Sequence, residues 1–232
     1  MDILFNADDF GLTKGVTDGI IKAHKEGVVG ATTIMMNGKA TKYAVEKARH
    51  YPTLNVGLHL VLTWGKPLSK NVQGLINPQG HFKLKNTYLE MEPPHLDDVR
   101  KEWTAQIEAF LATGLPLHHI DSHHHIHGWG PLKEIVIELA RKYNTPVRYV
   151  DSLKNERDLL LTDTLWKDFY GENVSSDIFQ QLKALQVPSV EVMTHPAFID
   201  SDLKEVSSYL EKREEELSIL CNLEVPKWAN IL

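Results

Sequence analysis

Short apolar runs alternate along the chain with longer stretches of helical period, the pattern that repeated strand and helix units of a parallel sheet leave in a sequence. Strands are expected near Ile3–Ala7, Ala31–Met36, Asn55–Leu62, His118–Ser122, Pro146–Val150 and Ser189–Thr194. Between the first two, Val16, Ile20 and Ala23 share a helical face, and Gly27 is placed to stop that helix. Asp97 is placed to cap a later helix whose positions Val99, Trp103, Ile107, Phe110 and Leu111 form one apolar stripe, ended by Gly114 and Pro116. Near the C-terminus Leu203, Val206, Leu210, Leu217 and Leu220 predict one last amphipathic helix, with Glu211 to Glu216 as its solvated face.

One segment breaks this rhythm. Residues 64–95 hold Gly65, Pro67, Gly74, Pro78, Gly80, Pro93 and Pro94, too much punctuation for a regular unit. The segment is therefore expected as an insertion in a single domain spanning residues 1–232, assigned to the substrate side, with a plain structural excursion as the alternative.

Composition changes the picture mainly by exclusion. A formal charge of -6 without a basic stripe argues against a nucleic-acid partner. No apolar stretch approaches membrane-spanning length, so no membrane role is expected. The single cysteine, Cys221, cannot form an internal disulfide and is expected to be a small core residue. Met1 leads straight into Ile3-Leu4-Phe5 without a basic leader, so the expected location is the cytoplasm.

The candidate chemistry lies at the predicted strand ends. In the third strand the residues Leu54, Val56, Leu58, Leu60 and Leu62 share one parity, and His59 lies on the other, facing inward near the C-terminal end where barrel enzymes keep their chemistry. The first strand ends in Asn6-Ala7-Asp8-Asp9-Phe10-Gly11, where one carboxylate can hold a metal while the other reaches a water; the plainer alternative is a helix cap. Asp121-Ser122-His123-His124-His125-Ile126-His127 is a metal-ligand cluster by composition, with Asp121 placed to support a ligand from behind and His123 facing the cavity. Spacing does not decide which of these histidines binds. Met193-Thr194-His195-Pro196 puts a further histidine at a strand end, able to donate a proton.

These residues carry a resemblance to the YdjC/ChbG-like carbohydrate deacetylases, relatives of the polysaccharide deacetylases, over nearly the whole chain. It rests on Asn6-Ala7-Asp8-Asp9-Phe10-Gly11-Leu12, on Thr32-Thr33 with Asn37-Gly38, on Gly57-Leu58-His59 running to Gly65-Lys66-Pro67-Leu68, and on the histidine cluster from Asp121 to His127. The resemblance implies an α/β fold, a TIM-like barrel of about seven parallel strands with an inserted loop region. It implies one divalent metal cation held by Asp9, His59 and His123, Asp8 as the base and His195 as the acid. Asp121, His125, His127 and Trp64 are then candidates for support or substrate contact. This chain has Ala197 where the family often has glycine after its His-Pro pair, which bears on the loop of His195. The implied substrates are small chitin-type oligosaccharides carrying N-acetyl groups, with or without phosphate, and the implied assembly is a homodimer.

Two imidazoles and one carboxylate suit zinc or cobalt on ligand softness, while the family is commonly described with magnesium. Neither a Gly-x-Ser-x-Gly elbow nor a reactive cysteine is present, which fits direct attack by water. The rival readings are a metal-dependent phosphoesterase or amidohydrolase on a similar barrel, whose first strand would typically carry His-x-His, and a sugar-binding protein without turnover.

Overall fold

The computed structural model describes residues 1–232. Its strands are β1 (Asp2–Phe10), β2 (Val29–Ile34), β3 (Asn55–Leu60), β4 (Ile120–Ser122), β5 (Thr164–Trp166), β6 (Ser189–Thr194) and β7 (Asn230–Ile231). The helices are α1 (Lys14–Glu26), α2 (Thr41–Arg49), α3 (Leu96–Leu111), α4 (Lys133–Tyr143), α5 (Ile178–Ala184), α6 (Ser201–Val206) and α7 (Glu211–Asn222). Every named strand pairing is parallel, in the order β4-β3-β2-β1-β6-β5, with β7 lying beside the start of β1. The C-terminal ends of β1, β3, β4 and β6 therefore open on one edge.

The expected strand over Pro146–Val150 is reduced to a single residue. Val147 bridges Ile120 on one side and Leu160 on the other, but Pro146 has no N–H to donate and the chain turns away over Asp151–Leu153. Between β4 and β5 the ladder therefore thins to isolated bridges, and the path of paired strands numbers six, with β7 off it. Neither β5 nor β7 was expected, since runs of three and two residues are too short to show alternation.

The core is built as the apolar pattern requires. Val99, Trp103, Ile107 and Phe110 on α3 are fully buried, as are Val16, Ile20 and Ala23 on α1; burying one such larger side chain contributes about 1.5–3 kcal/mol. Helix α3 starts two residues earlier than expected: His95 precedes Leu96 without a side-chain cap, and Asp97 lies in the first turn, where its charge favours the helix N-terminus. Cys221 is free and partly buried. The predicted last helix is two, α6 and α7, and its expected solvated face is wrong at two positions, because Arg213 and Glu216 are buried. The insertion of residues 64–95 folds as turns, two single-turn 3-10 helices (Gln73–Leu75 and Tyr88–Glu90) and one antiparallel bridge, Ile76 to Phe82. Glu102 on α3 anchors its start by accepting the backbone N–H of Leu68 (2.9 Å) and Ser69 (2.8 Å). No helix is long and apolar enough to cross a membrane.

Candidate active site

Adjacent residues of a regular strand face opposite ways, yet Asp8 and Asp9 line one cavity. The reason is a register shift: β1 pairs Ala7 with Thr32 and then Phe10 with Ile34, leaving both aspartates in an irregular step where Asp9 adopts a left-handed φ of 68°. Such bulges re-aim side chains. The pair does not cap α1, since Thr13 does so by accepting the N–H of Val16.

His59 projects inward from β3 and is buried. Its Nδ1 lies 2.7 Å from Asp121 Oδ1, and Thr33 Oγ1 donates to Asp121 Oδ2 at 2.9 Å, so the ring is fixed and Nε2 points to Asp9 Oδ1 at 3.5 Å. Gly57 lets the chains approach closely here, because a Cβ there would lie 2.6 Å from the His119 carbonyl, just before β4. His123 follows β4 and places Nδ1 3.1 Å from the same Asp9 oxygen. One donor atom from each of Asp9, His59 and His123 lies within 4.8 Å of the other two. Two imidazoles, one carboxylate and a carboxylate backing one imidazole form a donor set that fits a divalent cation. Burial would lower the pKa of His59, but Asp121, Asp8 and Asp9 outweigh it and raise it to about 9; the cluster gathers positive charge.

Arg148, which the pattern of apolar positions hid inside a predicted strand, is the buried centre of the site. Its guanidinium donates to both oxygens of Asp8 (2.7 and 2.6 Å), and Asn6 donates to Asp8 Oδ1 at 2.9 Å. The same group meets Asp121 at 2.9 Å and Glu191 at 2.7 Å. Burial alone would push Asp8 up, but the charge and hydrogen bonds of Arg148 bring it below the ordinary carboxylate range. Glu191, on β6, is pushed up to about 7, chiefly by burial. A lone Arg and a lone Glu inside apolar strand segments were the available signal, since buried charges of opposite sign need each other.

The opposite wall is made by the end of β6 and by α7. His195 is half-buried, open to the cavity on one side, while its Nδ1 is enclosed without a partner. Burial pushes it down to about 4, so the imidazole is neutral at rest. Glu216 accepts the His195 backbone N–H and the Tyr209 hydroxyl, the latter at 2.6 Å, and burial pushes its carboxyl up to about 8. Arg213 donates to Asp9 Oδ2 at 2.7 Å. The rings of Tyr170 and Tyr209 stack 4.2 Å apart, with His195 edge-on to both.

These groups enclose a cavity of about 500 Å³. Asp8, Asp9, His59, His123, His125, His195 and Trp64 all line it, with Trp64 and Asn86 contributed by the insertion. Trp64 also borders a second cleft of about 650 Å³. Asp121 lies behind His59 rather than on the cavity surface. His127 does not line the cavity: it is buried, and its backbone N–H is tied to Ser122 Oγ.

A family model described as YdjC-like protein matches residues 2–230. A carbohydrate deacetylase of Oceanobacillus iheyensis is 54% identical over 229 residues, covering 99% of this chain and 100% of that protein. One of Halalkalibacterium halodurans is 40% identical over 238 residues, with 100% of each covered. A crystal structure from Enterococcus faecalis, described as a cellobiose-phosphate cleavage protein, superposes with a TM-score of 0.89 at 36% identity, covering 95% of this chain and 90% of that one.

Proposed function

Because this chain belongs to the YdjC-like family, we propose that it is a carbohydrate deacetylase, a cation-dependent hydrolase that removes the acetyl group from N-acetylated sugars of the chitin type, with or without phosphate. The observation that carries this reading is the meeting of Asp9, His59 and His123 donor atoms within 4.8 Å at a cavity that also presents Asp8 and His195. A divalent cation held by those three residues would supply Lewis-acid polarisation of the water and the acetyl carbonyl.

The chain's own groups supply the proton transfers. Asp8, held ionised and oriented by Arg148 and Asn6, takes a proton from the water as its oxygen adds to the acetyl carbon. The C–N bond then breaks as the sugar nitrogen receives a proton from His195. His195 rests neutral and must be loaded first; the proton that Asp8 has taken balances the reaction, so that the water's hydroxyl ends on carbon and its proton on nitrogen. Tyr170, Tyr209 and Trp64 offer aromatic faces against which a sugar ring can pack.

The test is acetate release from N-acetylated chitooligosaccharides and their phosphorylated forms, before and after chelation and with magnesium, zinc or cobalt restored. Equimolar acetate and free amine, lost on chelation and regained with cation, is the expected result. Sugar binding without acetate under every condition would leave a binding protein instead.

A further inference from the structure

The turn that presents His123 is under conformational load. His124 and His125 follow it with φ of 57° and 55°, two consecutive non-glycine residues in the left-handed region. Such conformations persist only where surrounding contacts impose them. Inside the turn, His127 N–H is accepted by Ser122 Oγ at 2.9 Å, which closes its far end. The strained pair itself is held from elsewhere: the Tyr88 hydroxyl shares its proton between the carbonyls of His124 (3.1 Å) and His125 (3.3 Å). Tyr88 is buried, belongs to the insertion, and packs against Trp129, just beyond the turn, with ring centroids 5.4 Å apart.

We propose that Tyr88 is a positioning residue for the cation site, fixing the left-handed pair so that His123 is delivered to Asp9 and His59. This rests on the cation reading above and gives the insertion a second task. Its Trp64 and Asn86 border the cavity from the front, while Tyr88 braces the ligand-bearing turn through its backbone. Tyr88 makes no hydrogen bond to Asp9, His59 or the His123 side chain, so its effect on the site passes through the main chain of the turn.

Tyr88→Phe keeps the ring and its packing and removes only the hydroxyl. Titration with cobalt, followed by calorimetry and by the visible absorption of the bound ion, should show an affinity weakened roughly 10- to 100-fold, the usual cost of losing a group that orients a ligand. Leu54→Ala, a core change just before the start of β3 and far from its C-terminal end, should lower the melting temperature and leave cobalt affinity unchanged. Adding His124→Gly to Tyr88→Phe should recover part of the affinity, because glycine adopts this φ without strain. Wild-type affinity in Tyr88→Phe, an equal loss in Leu54→Ala, or no recovery in the double variant would each overturn the proposal. If the wild-type protein itself binds no divalent cation, the cation reading fails instead.

Discussion

The two flanks of the cavity are built on different electrostatic principles. On the flank of β1, β3 and β4, every carboxylate is tied to a positive or hydrogen-bonding partner: Asp8 to Arg148, Asp9 to Arg213 and His123, Asp121 to His59 and Thr33. On the flank of β6 and α7, burial dominates and favours neutral forms, with Glu216 raised to about 8 and His195 lowered to about 4. The first arrangement fixes charge in place, as a cation site and an oriented base require. The second leaves one carboxyl, Glu216, whose protonation can change within reach of physiological pH, beside a His195 that is held neutral.

The largest expected effect separates the two aspartates of the first flank. Asp8→Asn preserves size and one oxygen that can accept from Arg148, gives up the second of the two parallel bonds and the charge, and removes the proposed acceptor of the water's proton, so kcat should fall by roughly 10²- to 10⁴-fold with cation content near that of the wild type. Asp9→Asn removes the anionic member of the ligand cluster, so cation affinity should fall first and excess cation should recover part of the activity. Elemental analysis and acetate release across a metal titration measure both. An empty site in Asp8→Asn beside a loaded but inactive Asp9→Asn would exchange the two roles.

Next in size is the loss of the charge on which the first flank is centred. Arg148→Met leaves Asp8, Asp121 and Glu191 buried without their shared counter-charge, and removing one partner of such a cluster costs about 3–5 kcal/mol. Arg148→Lys should recover part of that stability but little activity, because an ammonium cannot hold both oxygens of Asp8 in parallel bonds. Denaturant unfolding and kcat, measured together, separate these outcomes; wild-type stability in Arg148→Met would show that the cluster is not the paired centre described here.

The same division explains what could be read from the sequence. The strand-end groups were legible because a parallel sheet brings strand ends together: Asp8, Asp9, His59, His123 and His195 all reach one cavity. The parity of His59 against its leucine neighbours was enough to aim it inward. Parity could not foresee that Asp8 and Asp9 share a cavity, since that depends on the register shift after Ala7 and the left-handed Asp9. Arg148 and Glu191 were concealed by their apolar neighbours in segments read only for hydrophobicity. Arg213 and Glu216 were hidden by the reverse error: a charged run looks solvated from its own helix, and only the docking of α7 against the end of β6 buries one side of it. His127 does not reach the cavity because the strand alternation stops at Ser122, after which the chain curls and turns that ring into the core.

The effect that most sharpens the contrast between flanks is the pH dependence of stability contributed by Glu216. Its carboxyl is raised in the folded protein from an ordinary 4.5 to about 8, primarily because burial disfavours the charged form. Between those values the folded state holds a proton that the unfolded state has released, so stability declines as pH rises. The contribution is complete below about pH 4.5 and is lost progressively until the folded group titrates near 8. His195, lowered to about 4, acts in the opposite sense: its contribution is present above the ordinary histidine value of 6.5 and is lost as pH falls toward 4. Glu216→Gln keeps an oxygen that can accept from the His195 backbone N–H or from the Tyr209 hydroxyl, but it cannot titrate. The difference in unfolding free energy between pH 5 and pH 8 should therefore shrink in Glu216→Gln, while the loss of stability on the acid side, to which His195 contributes, should persist. Chemical denaturation across that range reads both slopes in one series. An unchanged alkaline slope would mean that Glu216 is ionised at rest, and the second flank would then hold fixed charge as the first one does.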